Sequence, residues 1–169
     1  AVELGGESTR IQALRRMGRA EEAHAALASA LERSDGKVPP LGPVMISLRR
    51  VRAMLLQDAG HEAEAREEID DLVRAVEGVG LKGGPLASLY SAQSDAWLRT
   101  GHPTAARAIA ERALAVARAA QDKLPHSAEV GNALLQLARA CRQLGDDVGS
   151  ERAAVQALDH LRAAVGPEG

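Results

Sequence analysis

The sequence predicts an all-α fold, a stack of four antiparallel helical hairpins. Three observations predict it. Alanine and leucine dominate the apolar residues while Val and Ile are sparse, which favours helix over strand. Four segments of the chain share one register of small and bulky residues. Breaks containing Pro and Gly separate the copies.

Each hairpin turns on a glycine: Gly18, Gly60, Gly101 and Gly145, at intervals of 42, 41 and 44 residues. Five residues past each glycine stand Ala23, Ala65, Ala106 and Ser150. Nine past stand Leu27, Ile69, Ala110 and Ala154, and twelve past stand Ala30, Leu72, Ala113 and Ala157. Four before stand Leu14, Leu56, Trp97 and Cys141. Steps of 3 and 4 keep these positions on one face of a helix. Glycine suits the left-handed conformation that commonly ends a helix. The segments after the turns open with Glu21 and Glu22, Glu62 and Glu64, Pro103, or Asp146 and Asp147. Acids complement the positive end of a helix, and proline needs no N–H partner in the first turn. The expected helices are 4–17, 20–33, 43–59, 61–77, 85–100, 103–121, 126–144 and 147–165. The breaks between hairpins are SDGKVPPLGP, GVGLKGGP and DKLPH. The expected core includes Leu14, Leu27, Leu56, Ile69, Trp97, Leu114, Leu137 and Leu158.

This register of turn glycine, small residue, bulky residue and alanine resembles the tetratricopeptide repeat (TPR) family. LYSAQSDAWLRTGHPTAARAIAERALAVA matches it most closely, and the likeness runs from about 4 to 165. Two departures stand out. The period is near 42 rather than about 34, and most aromatic positions of the family motif hold leucine or small residues. Long, degenerate repeats of this kind resemble those of large bacterial regulatory and signalling proteins. The resemblance implies an α-solenoid, a right-handed superhelix forming one domain over 1–169, with repeats at about 4–33, 43–77, 85–121 and 126–165. It places the first helix of each hairpin on a concave inner face and the second on the outer face.

Composition narrows the function classes. The 169 residues carry a net charge of −2 and only two aromatic side chains, Tyr90 and Trp97. Direct nucleic-acid binding by a basic field or by stacking is not expected. A lone Cys141 permits no internal disulfide and no thiolate zinc cluster. No apolar run is long enough to span a membrane and no signal peptide opens the chain, so a cytoplasmic location is expected. The chain begins with Ala1 rather than Met and reads as a processed product or a piece of something longer.

Candidate chemistry is sparse. His61 and His102 each follow a turn glycine, a whole repeat apart, and read as solvated turn residues rather than metal ligands. Cys141 takes the slot of Leu14, Leu56 and Trp97 and reads as a buried, inert thiol. Ser91 and Asp95 share a helix face, but no histidine joins them as a hydrolase triad would need. GVGLKGGP lacks the Gly-Lys-Ser/Thr ending of a phosphate loop. Tyr90 and Trp97, seven apart, read as core, with a ligand anchor as the alternative. No enzyme activity, cofactor or metal is expected.

Charge is the feature that stands out. The first helices carry Arg10, Arg15, Arg16, Arg19, Arg49, Arg50, Arg52, Arg99, Arg139 and Arg142, whereas acids crowd the second helices. With the resemblance this implies a basic inner face and an acidic outer one. The alternative is two ordinary solvated faces, with some arginines turned to second-helix acids. On the first reading the chain is a protein-interaction module for an acidic or carboxylate-bearing segment. Its expected ligand-binding residues are Arg16, Arg50, Ser91, Asp95, Arg99, Asn132, Gln136, Arg139 and Arg142. A structural module packing on other domains or on its own copy is the second reading. Ala154, Leu158, Leu161 and Val165 line one face of the last helix, with Val148 and Val155 near another, as an uncapped array would show.

Overall fold

The computed structural model describes residues 6–34, 39–121 and 125–165. Among them are eight helices and no strand: α1 (Glu7–Arg16), α2 (Ala20–Ser34), α3 (Pro43–Asp58), α4 (Glu62–Gly78), α5 (Gly83–Arg99), α6 (Pro103–Ala120), α7 (Ala128–Gln143) and α8 (Asp147–Val165). Most ends fall within two or three residues of the sequence expectation. Parts of the SDGKVPPLGP and DKLPH breaks, 35–38 and 122–124, lie outside the described residues.

The four turn glycines have φ of 73°, 82°, 80° and 76°. Each closes its helix with the same pair of hydrogen bonds. The glycine N–H donates to the carbonyl three back, and the next N–H reaches the carbonyl five back: Arg19 to Leu14, His61 to Leu56, His102 to Trp97 and Asp146 to Cys141, at 2.9–3.0 Å. These acceptors are the residues that precede each glycine by four, so the marker in the sequence is one end of the cap itself. The His102 ring also meets the Trp97 ring edge-on at 5.3 Å. Two starts differ from expectation by two residues. Helix α5 begins at Gly83, two residues early, and Gly83 enters it with φ 70°, a left-handed conformation that glycine adopts without a Cβ penalty. Helix α7 begins at Ala128, capped by the Ser127 hydroxyl accepting from the Val130 N–H at 3.3 Å.

The chain divides into two compact units, residues 1–75 and 76–169. In the first, Ile11, Ala23, Leu27, Ala30, Leu48, Val51 and Leu55 form the core, with Leu14, Leu31 and Met45 half-buried against it. Helix α1 packs on α2 and on α3. In the second, α5 packs on α6 and also on α7, and α7 packs on both α6 and α8. Ala106, Ala110 and Ala113 are fully buried, which lets neighbouring backbones approach closely. The buried Ser94 hydroxyl donates to the Ala106 carbonyl at 2.8 Å, fastening α5 to α6. The repeat slots are the core: Ala23, Ala65 and Ala106 are fully buried and Ser150 nearly so.

Of the expected core, Leu27, Ile69 and Leu114 are buried, and Leu14, Leu56, Trp97 and Leu137 are half-buried. Leu158 is not core but 45% exposed. Its counterparts thirteen past the earlier glycines are Leu31, half-buried, and Val73 and Leu114, both buried. Those slots are closed by neighbouring side chains, whereas Leu158 stands open at the surface.

Candidate interaction face

The direct packing of α5 on α7 defines one layer of the second unit. Along α5, Ser88, Ala92, Asp95 and Arg99 follow one another at steps of 4, 3 and 4, and along α7 so do Asn132, Gln136, Arg139 and Gln143. Counted from the turn glycines, the two rows are in the same register, so Asp95 stands opposite Arg139. The structure joins them. The Arg139 Nη1 donates to Asp95 Oδ1 and, at 3.1 Å, to Gln136 Oε1. The Arg99 Nε donates to Asp95 Oδ2 at 2.8 Å. One carboxylate thus orients two guanidinium groups and leaves a surplus positive charge. Asp95 is only 17% exposed, while both arginine side chains are 42% exposed.

The structure therefore brings together four of the nine expected ligand-binding residues: Asp95, Arg99, Gln136 and Arg139. Asn132 is exposed further along α7, and Arg142 is exposed in the register that Leu98 fills on α5. Ser91 is 7% exposed and spends its hydroxyl on the Ala87 carbonyl at 3.1 Å, so it is not placed to meet a ligand. In the first unit Arg16 is exposed at the end of α1. Arg50, on α3, is half-buried and makes no hydrogen bond or ion pair among the described residues. Burial lowers the pKa of its guanidinium, which stays charged all the same.

The uniform basic inner face expected from the sequence does not hold for every arginine. The Arg49 Nε donates to Glu68 Oε1 on α4 at 2.7 Å, and Arg52 lies 3.5 Å from the same carboxylate. Arg15 pairs with Asp58 and Arg19 with Glu22. Long arginine side chains reach neighbouring acids, so residence on a first helix does not fix the face on which the charge appears.

Two features escaped the sequence reading. In the second unit α6, α7 and the start of α8 border a cavity of about 370 Å3 with Leu114, Leu134, Leu137 and Cys141 among its lining residues, and Arg107, Arg118 and Arg152 also line it. The Cys141 thiol there is buried, and burial pushes its pKa up. The second feature is a cluster of Glu77, Tyr90 and Arg112. The Tyr90 hydroxyl donates to Glu77, and the Arg112 Nη2 donates to Glu77 Oε1 and to the Tyr90 oxygen, both at 2.8 Å. The Arg112 guanidinium lies 4.5 Å from the Tyr90 ring centroid. The three residues come from α4, α5 and α6, so no local spacing announces them. Burial, then the hydrogen bond to Glu77, pushes the Tyr90 phenol up. Tyr90 is the only tyrosine, so an alkaline absorbance titration should show one phenol ionising above the ordinary value of about 10. A raised folded pKa stabilises the fold at lower pH, and this contribution is lost as pH rises through it. Ionisation at the ordinary value would contradict the cluster.

Among the described residues no three metal-ligating side chains gather, and no helix is long and apolar enough to cross a membrane. His61 is exposed and meets Glu64 at 2.8 Å. The His126 and His160 rings meet edge-on at 5.6 Å.

Solved structures with the same arrangement of helices exist. BtubC (BKLC) from P. vanneervenii superposes with a TM-score of 0.76 at 18% identity, over 98% of this chain and 66% of that one. A Podosopora anserina protein of nearly identical TPR-like repeats, described as a kinesin light chain, gives 0.75 at 17% identity over 98% of this chain and 78% of its own. Its Q17M variant gives 0.68 at 17% identity, over 96% and 76%. The fold is a TPR-like helical repeat. No protein-family model and no curated protein matches the sequence. This chain spans about two thirds of BtubC.

Proposed function

We propose that the chain is a non-enzymatic interaction domain, 1–169, of a larger cytoplasmic bacterial regulatory or signalling protein. On this reading its first-in-hairpin helices receive an acidic or carboxylate-bearing peptide segment. The supporting observation is the Arg99–Asp95–Arg139 bridge: two half-exposed guanidinium groups held in place by one carboxylate, with a net positive charge left over. A planar guanidinium fork holds a carboxylate by parallel hydrogen bonds. Gln136 and Asn132 beside it can meet the donors and acceptors of an extended backbone. Arg142 extends the site on α7. In the first unit the same role falls to Arg16 and to Arg50, which makes no hydrogen bond or ion pair among the described residues. Ser91 contributes to packing instead.

An array of immobilised peptides tests this reading. Acidic peptides and those with a free C-terminal carboxylate should retain the chain, and their Gln-substituted or amidated counterparts should not. Retention should fall as salt rises. Equal retention of acidic, neutral and basic peptides would refute the charge-based reading. A second reading, a structural module packing on its own copy, is favoured by the exposed apolar side chains of α8.

A further inference from the structure

Helix α8 differs from the other second helices at two exposed positions, of which Val148, like Arg152, also borders the cavity beside α6. Val148 is 69% exposed and Val155 58% exposed. The same positions hold Glu21 and Ala28 on α2, Ala63 and Asp70 on α4, and Thr104 and Glu111 on α6. Three polar or small versions of the pair stand against one apolar one. With Leu158, these valines follow steps of 7 and 3, the spacing of a two-helix seam. The charges of the seam are ordered: Glu151 and Arg162 stand in its own rows and Arg152 and Asp159 flank it. Glu151, Arg152, Asp159 and Arg162 are exposed, and none makes a hydrogen bond or ion pair among the described residues. Their signs run minus, plus, minus, plus along the helix. Reversing the helix direction about a point near Val155 and Gln156 therefore sets each charge against its opposite.

We propose that α8 is the interface of a homodimer, pairing antiparallel with α8 of a second copy about a two-fold axis near Val155. Val155 of each copy covers Leu158 of the other. Arg152 of each copy meets Asp159 of the other, and Glu151 meets Arg162. A two-fold contact uses one patch twice, so every pair occurs in duplicate. Parallel pairing would instead set Glu151 beside Glu151. Head-to-tail stacking through α1 also fits poorly. The α7 positions that line the cavity with α6 are Leu134, Leu137 and Cys141. Their counterparts on α1 are Glu7, Arg10 and Leu14, of which the first two already pair with each other.

Sedimentation equilibrium of the 169-residue chain over a wide concentration range tests the proposal. The unaltered chain should be a reversible dimer. Arg152→Asp and Asp159→Arg each turn two attractive contacts into two repulsive ones, and each should weaken self-association roughly tenfold or more. An equimolar mixture of these two variants should dimerise as the unaltered chain does, because each supplies the charge the other needs. Unchanged helical circular dichroism excludes misfolding as the cause of a loss, and recovery in the mixture excludes it independently. A chain that stays monomeric at the highest concentration overturns the proposal. So does a dimer indifferent to either reversal, or a mixture that fails to recover.

Discussion

Replacing Leu89 with alanine should lower stability by about 2–5 kcal/mol in urea unfolding, the range for a leucine truncated in a packed core. Leu89 is fully buried on α5, and α5 packs on both α6 and α7. The helices that α5 packs on are rich in alanine: Ala106 and Ala110 on α6 and Ala133 on α7 are all fully buried. Short side chains have little freedom to swing into a void, so the cavity should collapse only in part. Trp97→Ala removes more atoms, but Trp97 is half-buried against Leu98, Ala106 and Ala140, where water can enter the space it leaves. Its cost should therefore fall below the range for a fully buried tryptophan. Met17→Ala, at a position 66% exposed, should stay within about 0.5 kcal/mol of the unaltered chain. A Leu89→Ala variant no less stable than Met17→Ala would contradict the packing described.

The fold was legible because its signals are local. A turn glycine, the carbonyl five residues before the next N–H, and the alanines that follow at steps of 4 and 3 all lie within one hairpin. Leu158 shows where that information stops. Periodicity identifies the face it occupies, but burial depends on whether another helix lies over that face. The candidate site divides in the same way. Asp95 and Arg139 are 44 residues apart in the chain, yet each stands six before its turn glycine, so the repeat register alone makes them neighbours. Arg49 and Arg52 carry the same kind of charge on an equivalent helix, but their length lets them turn to Glu68. The Glu77, Tyr90 and Arg112 cluster crosses the GVGLKGGP break and follows no register, which is why the sequence alone does not reveal it. Ser91 looked polar and available; in a helix its hydroxyl has a carbonyl four residues back to satisfy it.

The double change Arg99→Ala with Arg139→Ala should weaken binding of an acidic peptide tenfold or more while leaving the helical spectrum unchanged. Charge-assisted hydrogen bonds are worth roughly 1.5–3 kcal/mol each when desolvated, whereas fully exposed ion pairs are worth about 0–1 kcal/mol. Both side chains are half-exposed, so the estimate takes the lower end and relies on the two acting together. Asp95→Asn should act in the opposite direction. It removes the negative charge between the two guanidinium groups but keeps an oxygen that can accept from one of them, so the local surplus rises by one positive charge. Acidic peptides should then bind more tightly at low salt, and their affinity should fall more steeply as salt increases. If Asp95→Asn weakens binding as strongly as the double arginine change does, orientation by the carboxylate matters more than net charge. Unchanged affinity in the double variant, with the fold intact, would place the ligand on another face of the chain.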